Sequence, residues 1–246
     1  MSDAPDPDAP RTARQIGRQE MTRRILARAR AQLLDAGPGE LSLRAIARDL
    51  GIASSAIYRY FASRDELLTA LLVEVYAELG AVLEEADRAV RPREAYARRF
   101  RTLAQALRDW AVAHPYDWAL LYGSPVPGYH APQDTVPSAA EATGAFLAIV
   151  SDASGAGYRL PAELAAPVDP AERAAVAGLV GMLEGPVDEA LLLRGMAAWS
   201  GVMGAISTEL FGHLNRSVVD LDTYYAAVVD RLVEMSGLRD SGAAHR

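Results

Sequence analysis

Residues 42–66 read Ser42-Leu43-Arg44-Ala45-Ile46-Ala47-Arg48-Asp49-Leu50-Gly51-Ile52-Ala53-Ser54-Ser55-Ala56-Ile57-Tyr58-Arg59-Tyr60-Phe61-Ala62-Ser63-Arg64-Asp65-Glu66. Leu43, Ile46, Ala47 and Leu50 recur at helical spacing, Ser42 is an N-cap in front of them, and Gly51 closes the segment after two turns. A second short helix is expected from Ser54 to about Phe61, burying Ile57 and Phe61 and leaving Ser54, Ser55, Tyr58, Arg59 and Tyr60 outside. Ser63 and Glu66, three apart, form a capping box that opens a long helix marked by Leu68, Leu71, Leu72, Val75, Leu79 and Leu83. Upstream, Met21, Ile25, Leu26, Ala29 and Leu33 mark a first helix that Gly37-Pro38-Gly39 stops. The small Ala47 permits a close crossing of the two short helices.

Helical hairpins are common packing units, so the charge distribution decides what this one is for. The 246-residue chain carries a net charge of −7, but residues 11–64 hold eleven arginines against Glu20, Asp35, Glu40 and Asp49, a balance of +7. The other fourteen arginines face twenty-eight acids, and no lysine occurs. Binding to a polyanion depends on where charge sits, not on the sum. The exposed hydroxyls and guanidinium of the second short helix suit phosphates and base edges.

At these residues the sequence resembles the TetR family of bacterial regulators (AcrR-like), in which A-x-x-L-G-[VI] leads to a recognition helix ending [LIV]-Y-x-[HY]-F. The matching residues are Ala47 to Ile52 and Ile57-Tyr58-Arg59-Tyr60-Phe61, followed by Ala62-Ser63-Arg64-Asp65-Glu66-Leu67. The resemblance covers about residues 18–72. It implies phosphate contacts from Ser42, Tyr58, Tyr60 and Arg64, base-edge contacts from Ser54, Ser55 and Arg59, and a place for Arg44 on the same surface. Ala53 departs from the pattern, because many members carry a hydroxyl there. Arg11, Arg14 and Arg18 form either an arm that reaches a minor groove or a disordered tail.

Beyond this region the periodicity stays helical. Tyr96, Phe100, Leu103, Leu107, Trp110 and His114 lie on one face, and Pro115 ends or bends their helix. Ser138 with Glu141, and Asp169-Pro170-Ala171-Glu172, announce two further helix starts. Two long patterns close the chain: Leu192, Met196, Trp199, Met203, Ile206 and Leu210, then Leu221, Tyr225, Val228, Leu232 and Met235. No strand pattern or internal repeat stands out. The expected fold class is all-α, with a tail over 1–17, a helix-turn-helix DNA-binding domain over 18–72, a ligand-binding and dimerisation domain over 73–237, and a second tail over 238–246.

The C-terminal half concentrates aromatic side chains. Phe100, Leu103, Trp110, His114, Trp118, Tyr122, Phe146, Met196, Trp199 and Met203 are the candidate lining of a pocket for an apolar or aromatic effector, although each aromatic singly reads as core. His114-Pro115-Tyr116-Asp117-Trp118, Tyr122-Gly123-Ser124-Pro125 and the Trp199 helix also resemble a TetR subgroup with a Trp-x-x-x-His-Gly signature. Its spacing survives as Trp199, Met203 and Gly204, with Met203 in place of the histidine. Ala197, Gly201, Ala205 and Thr208 make a stripe of small residues. The family's last two long helices pair with their copies in a second subunit, which implies a homodimer interface including Gly201, Ala205, Thr208, Leu221, Tyr225, Val228 and Leu232.

Other function classes find little support. No cysteine occurs, and His114, His130, His213 and His245 lack metal-ligand spacing. H-E-x-x-H, G-x-S-x-G, Walker and G-x-G-x-x-G patterns are missing, so neither an enzyme nor a bound cofactor or metal is expected. An Asp- and Pro-rich start without an apolar run, and a longest uncharged helix-compatible stretch of only residues 195–208, point to a cytoplasmic protein with no membrane partner. The expected partners are double-stranded DNA with a palindromic operator, a small-molecule effector and a second copy of the chain. A ligand-independent architectural DNA-binding protein is the alternative.

Overall fold

The computed structural model describes residues 12–36, 40–126, 128–130, 132 and 136–240. These form ten helices: α1 (Ala13–Ala36), α2 (Leu43–Asp49), α3 (Ser54–Ile57), α4 (Arg64–Ala89), α5 (Tyr96–Ala113), α6 (Pro115–Tyr122), α7 (Val136–Gly155), α8 (Pro170–Val180), α9 (Glu189–Leu210) and α10 (Leu221–Ser236). The chain is all-α: among the described residues the one β-type pairing is an isolated bridge between Ala95 and Asp240. It divides into two compact units, residues 1–74 with 124–135, and residues 75–123 with 136–246. The division therefore falls inside α4, two residues beyond the boundary expected at 72, and the loop after α6 belongs to the first unit.

In the first unit Ile25, Ala29 and Leu33 of α1, Leu43, Ile46 and Ala47 of α2, Ile57 and Phe61 beyond the turn, and Leu67, Leu68 and Leu71 of α4 are all buried. Helix α1 begins at Ala13, not after a tail of seventeen residues. The cause is local: the Thr12 N–H donates to Gln15 Oε1 (2.7 Å) and the Gln15 N–H to Thr12 Oγ1 (3.3 Å), a capping box written in the sequence as T-x-x-Q. Arg11, the third member of the candidate arm, and Gly37-Pro38-Gly39 lie outside the described residues. The loop residue Tyr129 shares a 2.9 Å hydroxyl contact with Thr69 of α4.

The second unit is built on α5, whose Tyr96, Phe100, Leu103, Leu107 and Trp110 pack into one core with α7, α9 and α10. Asp169, Asp188 and Asp220 cap α8, α9 and α10 by accepting first-turn N–H groups. Helix α7 starts at Val136, two residues ahead of Ser138, whose side chain and that of Glu141 lie outside the described residues. Residues 238–240 are not a tail. Leu238 is buried, and Asp240 accepts the Arg98 N–H at 3.0 Å, so core contact and pairing hold the chain past α10. Helix α9 is long and apolar enough to cross a membrane by length and composition, beyond what its uncharged stretch suggested. Its Leu191, Leu192, Ala198, Trp199, Val202 and Ile206 belong to the core of the unit.

Candidate DNA-binding surface and effector region

The site in the first unit is assembled by local rules. Ser42 is extended (φ −133°, ψ 111°) and its Oγ accepts the Ala45 N–H at 3.4 Å, which starts α2. Gly51 adopts φ +68°, a left-handed conformation that suits glycine and turns the chain between α2 and α3. Helix α3 is shorter than expected. Regular helix stops at Ile57, and residues 58–61 continue as a turn in which Arg59, Tyr60 and Phe61 donate to the Ala56 and Ile57 carbonyls. Ala53 offers no side-chain cap, as its missing hydroxyl requires.

This turn buries Ile57 and Phe61 and exposes Ser54, Ser55, Tyr58 and Arg59, with Tyr60 half-buried. The Arg44 and Arg59 guanidinium groups have no hydrogen-bond or ion-pair partner among the described residues. Ser42 is half-buried and engaged in its cap, which leaves its O–H as the group free to donate. At the start of α4, Ser63 Oγ accepts the Glu66 N–H at 3.1 Å. Glu66 Oε2 accepts from Ala62, at 2.6 Å, instead of from the cap residue itself. Arg64 stands in this first turn, half-buried, 3.8 Å from Asp65. The expected DNA-contacting residues thus lie on α2, the α3 turn and the first turn of α4.

In the second unit the expected pocket residues fill space. Phe146 and Trp199 stack at 5.3 Å, and Phe100 meets both edge-on at 5.9 and 6.1 Å. All three, with Leu103 and Trp110, are buried, whereas Met196 and Met203 are half-buried beside this cluster. His114 ends α5: its ring stacks on Trp110 at 5.1 Å and its Nδ1 lies 2.9 Å from the Trp110 carbonyl. Trp118 is fully buried and donates from Nε1 to Ser207 Oγ at 3.1 Å. Tyr122 packs on Trp118 (4.5 Å) and Tyr76 (6.3 Å), and burial pushes its phenol well above the usual range. Open clefts of about 490 and 500 Å³ lie elsewhere, one beside Leu164, Val233 and Leu238, the other between α4 and α7 beside Ala77, Ala81 and Ala148. Among the described residues no three His, Asp or Glu side chains are grouped to hold a metal ion.

Comparison with known proteins gives the architecture a lineage. Residues 25–71 match the model for bacterial regulatory proteins of the tetR family, and residues 100–232, more than half of the chain, match the tetracyclin repressor-like C-terminal domain. The chain belongs to the TetR family. This TetR regulator is 43% identical over 202 residues to the HTH-type transcriptional regulator Rv1816 of Mycobacterium tuberculosis, which covers 81% of this chain and 84% of that one. The same figures hold for Mb1846 of Mycobacterium bovis. Among solved structures, SCO4313 aligns over 91% of this chain and all of its own at 32% identity, with a TM-score of 0.73. A Rhodococcus sp. RHA1 protein aligns over 94% and 98% at 25% identity, with a TM-score of 0.64. Bacillus subtilis FadR, solved with stearoyl-CoA, shares the fold at 14% identity and a TM-score of 0.55, over 88% and 98% of the two chains.

The last two helices of the TetR regulator correct part of the expected dimer surface. Tyr225 is buried in the chain's own core and donates its hydroxyl to the Ala104 carbonyl at 2.6 Å, so it is unavailable to a second copy. A Cβ on Gly201 would lie 2.6 Å from Leu232 Cδ2, so that glycine admits Leu232 where α9 crosses α10 within the chain, and both residues stay half-buried. Thr208 donates to the Gly204 and Ala205 carbonyls and, like Ala205, Leu221 and Val228, is half-buried. Ala197, Ser200 and Gly204 are exposed on α9, as are Tyr224 and Met235 on α10. Alternation of small residues gave no signal for which helix each would meet.

Proposed function

We propose that this TetR regulator is a cytoplasmic homodimeric repressor that binds a palindromic operator and leaves it when an apolar or aromatic small molecule enters between α5 and α9. The observation that carries the operator reading is the exposed set Ser54, Ser55, Tyr58 and Arg59 on one turn, with Arg59 unpaired among the described residues, in a region of charge +7. One such turn offers too few base contacts for specificity, so two copies should read half-sites about 34 Å apart. The effector reading is supported by the Phe100, Phe146 and Trp199 rings flanked by Met196 and Met203, an apolar cluster that a planar ligand can part. Such a ligand acts only if it prefers the DNA-incompetent state, and α4, which runs through both units, is the element that can carry that preference.

The test combines in vitro selection of duplexes with a panel of small aromatic compounds as release agents. Wild-type protein should retain palindromic duplexes with an affinity that falls steeply with salt. Trp199→Ala, checked for retained helicity and operator binding, should lose the response to any compound that releases the wild type. An unchanged response moves the effector site away from Trp199, and failure to retain any duplex removes the operator reading. Gly204→Glu, on the face where a Cβ meets nothing within 4 Å, should turn dimers into monomers. A wild-type chain that sediments as a monomer at micromolar concentration excludes the dimer.

A further inference from the structure

The N-terminal turns of α1 overhang the module they belong to. The first buried side chain of α1 is Ile25, where the family match also begins, and every residue from Thr12 to Glu20 is exposed. Residues 12–24 carry Arg14, Arg18, Arg23 and Arg24 against Glu20 alone, and Glu20 is taken by Arg23. Neither the Arg14 nor the Arg18 guanidinium has a hydrogen-bond or ion-pair partner among the described residues. The only large apolar group of the overhang, Ile16, is 56% exposed, so the segment gains nothing from packing.

Position on the helix gives these two arginines a direction. Residues 14, 18, 21, 25, 29 and 33 follow one another by steps of 4 and 3, which place them on one face. Where that face packs, it is Met21, Ile25, Ala29 and Leu33; where it overhangs, it is Arg18 and Arg14. Two contacts orient the overhang. Gln32 Oε1 accepts the N–H of Ser42 at the start of α2 (3.2 Å), and Arg28 Nε donates to Asp49 at its end (2.8 Å). Helix α1 therefore runs antiparallel to α2, and its N-terminal turns continue past Asp49, the end at which Gly51 turns the chain into α3. From Arg28 to Arg14 the helix extends about 21 Å beyond that end.

Helix energetics alone do not favour this arrangement. Arg14 and Arg18 are a like-charged i,i+4 pair, and Arg14 stands in the first turn of α1, where the helix dipole disfavours cations. Local preference and placement conflict, which is what a site built for an anion looks like before the anion arrives. We propose that this overhang is a second DNA-contacting element, in which Arg14 and Arg18, presented by a helix, bind phosphates of the duplex outside the palindromic half-site. The inference rests on the operator reading and extends its footprint.

The test uses the full-length chain and a duplex obtained by in vitro selection, prepared as the minimal palindrome and with about ten base pairs of unselected flank on each side. Wild type should bind the flanked duplex roughly tenfold more tightly than the minimal one. The double variant Arg14→Ala/Arg18→Ala should lose that difference, with the slope of log affinity against log salt reduced by about four on the flanked duplex, two for each subunit, and sequence preference unchanged. Gly17→Pro keeps both arginines but breaks the helix, and should lose the flank effect as well. Equal binding of wild type to both duplexes, equal slopes for wild type and double variant, or a Gly17→Pro variant that keeps the full flank effect each overturns the proposal. A wild type that binds neither duplex removes the operator reading and this one with it, whereas equal binding to both lengths removes only this one.

Discussion

Arginine does opposite work in the two units. In the first, Arg14, Arg18, Arg44 and Arg59 stand exposed without partners among the described residues. In the second, Arg99 is fully buried and held by Asp87 (2.7 and 3.0 Å) and Asp152 (2.8 Å), with Arg93 bonded to the same two carboxylates. Arg108 binds Glu209 through two 2.8 Å bonds and Asp222 through a third, and lies 5.0 Å over the Tyr225 ring, tying α5 to α9 and α10. The lesson concerns how charge is read. The acidic balance of the C-terminal region is partly spent on neutralising its own buried arginines, and an exposed arginine without a carboxylate, or with a carboxylate only at the edge of ion-pair distance as Arg64 has in Asp65 (3.8 Å), is the kind available to a phosphate.

The largest expected effect tests the inward half of that contrast. Arg99→Met leaves Asp87 buried beside one remaining cation and should cost about 3–5 kcal/mol in urea unfolding, whereas exposed Arg44→Ala should cost under about 0.5 kcal/mol. Equal effects would break the distinction. The same cluster sets a pH dependence. Burial pushes the Asp87 carboxyl up, but hydrogen bonds from Arg99 and Arg93 outweigh it and hold the group below its ordinary 3.8. A carboxylate depressed on folding stabilises the protein above the unfolded value and loses that contribution as pH falls through the folded one. Asp87→Asn should therefore be most destabilising at neutral pH and approach wild type in acid below about pH 3.8, as measured by unfolding at a series of pH values.

The outward half is sharpened by DNA binding. Arg59→Ala should cost about 1–3 kcal/mol for each half-site of the preferred duplex and relax sequence preference at one position of each. Arg64→Ala should weaken all duplexes alike and lower the salt slope by about two, one for each subunit of the dimer. Binding to the selected duplex and to a scrambled one, across a salt series, separates the two. If Arg59→Ala weakens both duplexes equally, Arg59 is a phosphate ligand and base reading falls to Ser54 and Ser55.

The first unit was legible because its signals are local. Ser42, Gly51 and the Ser63 box act within three or four residues of where they stand, and the resemblance sits on the same stretch. Even there one signal is weak in context: Thr12 and Gln15 are a capping box as plain as Ser63 and Glu66, but no apolar stripe follows them before Met21, so by pattern the stretch resembles a tail. The second unit depends on partners distant in sequence. Nothing near Arg99 announces Asp152, and Leu238 follows the last helical pattern with no period of its own. Periodicity also cannot tell an aromatic that lines a cavity from one that fills it: the pattern of Phe100, Phe146 and Trp199 suits a pocket wall, and in the structure the three rings pack on one another. The stripe at Gly201 is ambiguous for the same reason, since small residues admit a neighbouring helix without naming it.

That last ambiguity yields the smallest effect and a clean measurement. If Gly201 exists for the crossing of α9 and α10 within the chain, a methyl group there must displace Leu232, whose Cδ2, Cδ1 and Cγ lie 2.6, 3.2 and 3.5 Å from the Cβ position. The displaced atoms are the end of a flexible side chain, so the strain is modest, and alanine gains about 1 kcal/mol of helix propensity over glycine. Gly201→Ala alone should accordingly change stability by less than about 1 kcal/mol. The informative quantity is the coupling. In a double-mutant cycle Leu232→Ala should cost about 1 kcal/mol less in the Gly201→Ala background than in wild type, because shortening Leu232 also relieves the clash. Independent effects of the two substitutions, together with dimer dissociation in Gly201→Ala alone, would return Gly201 to the face between subunits.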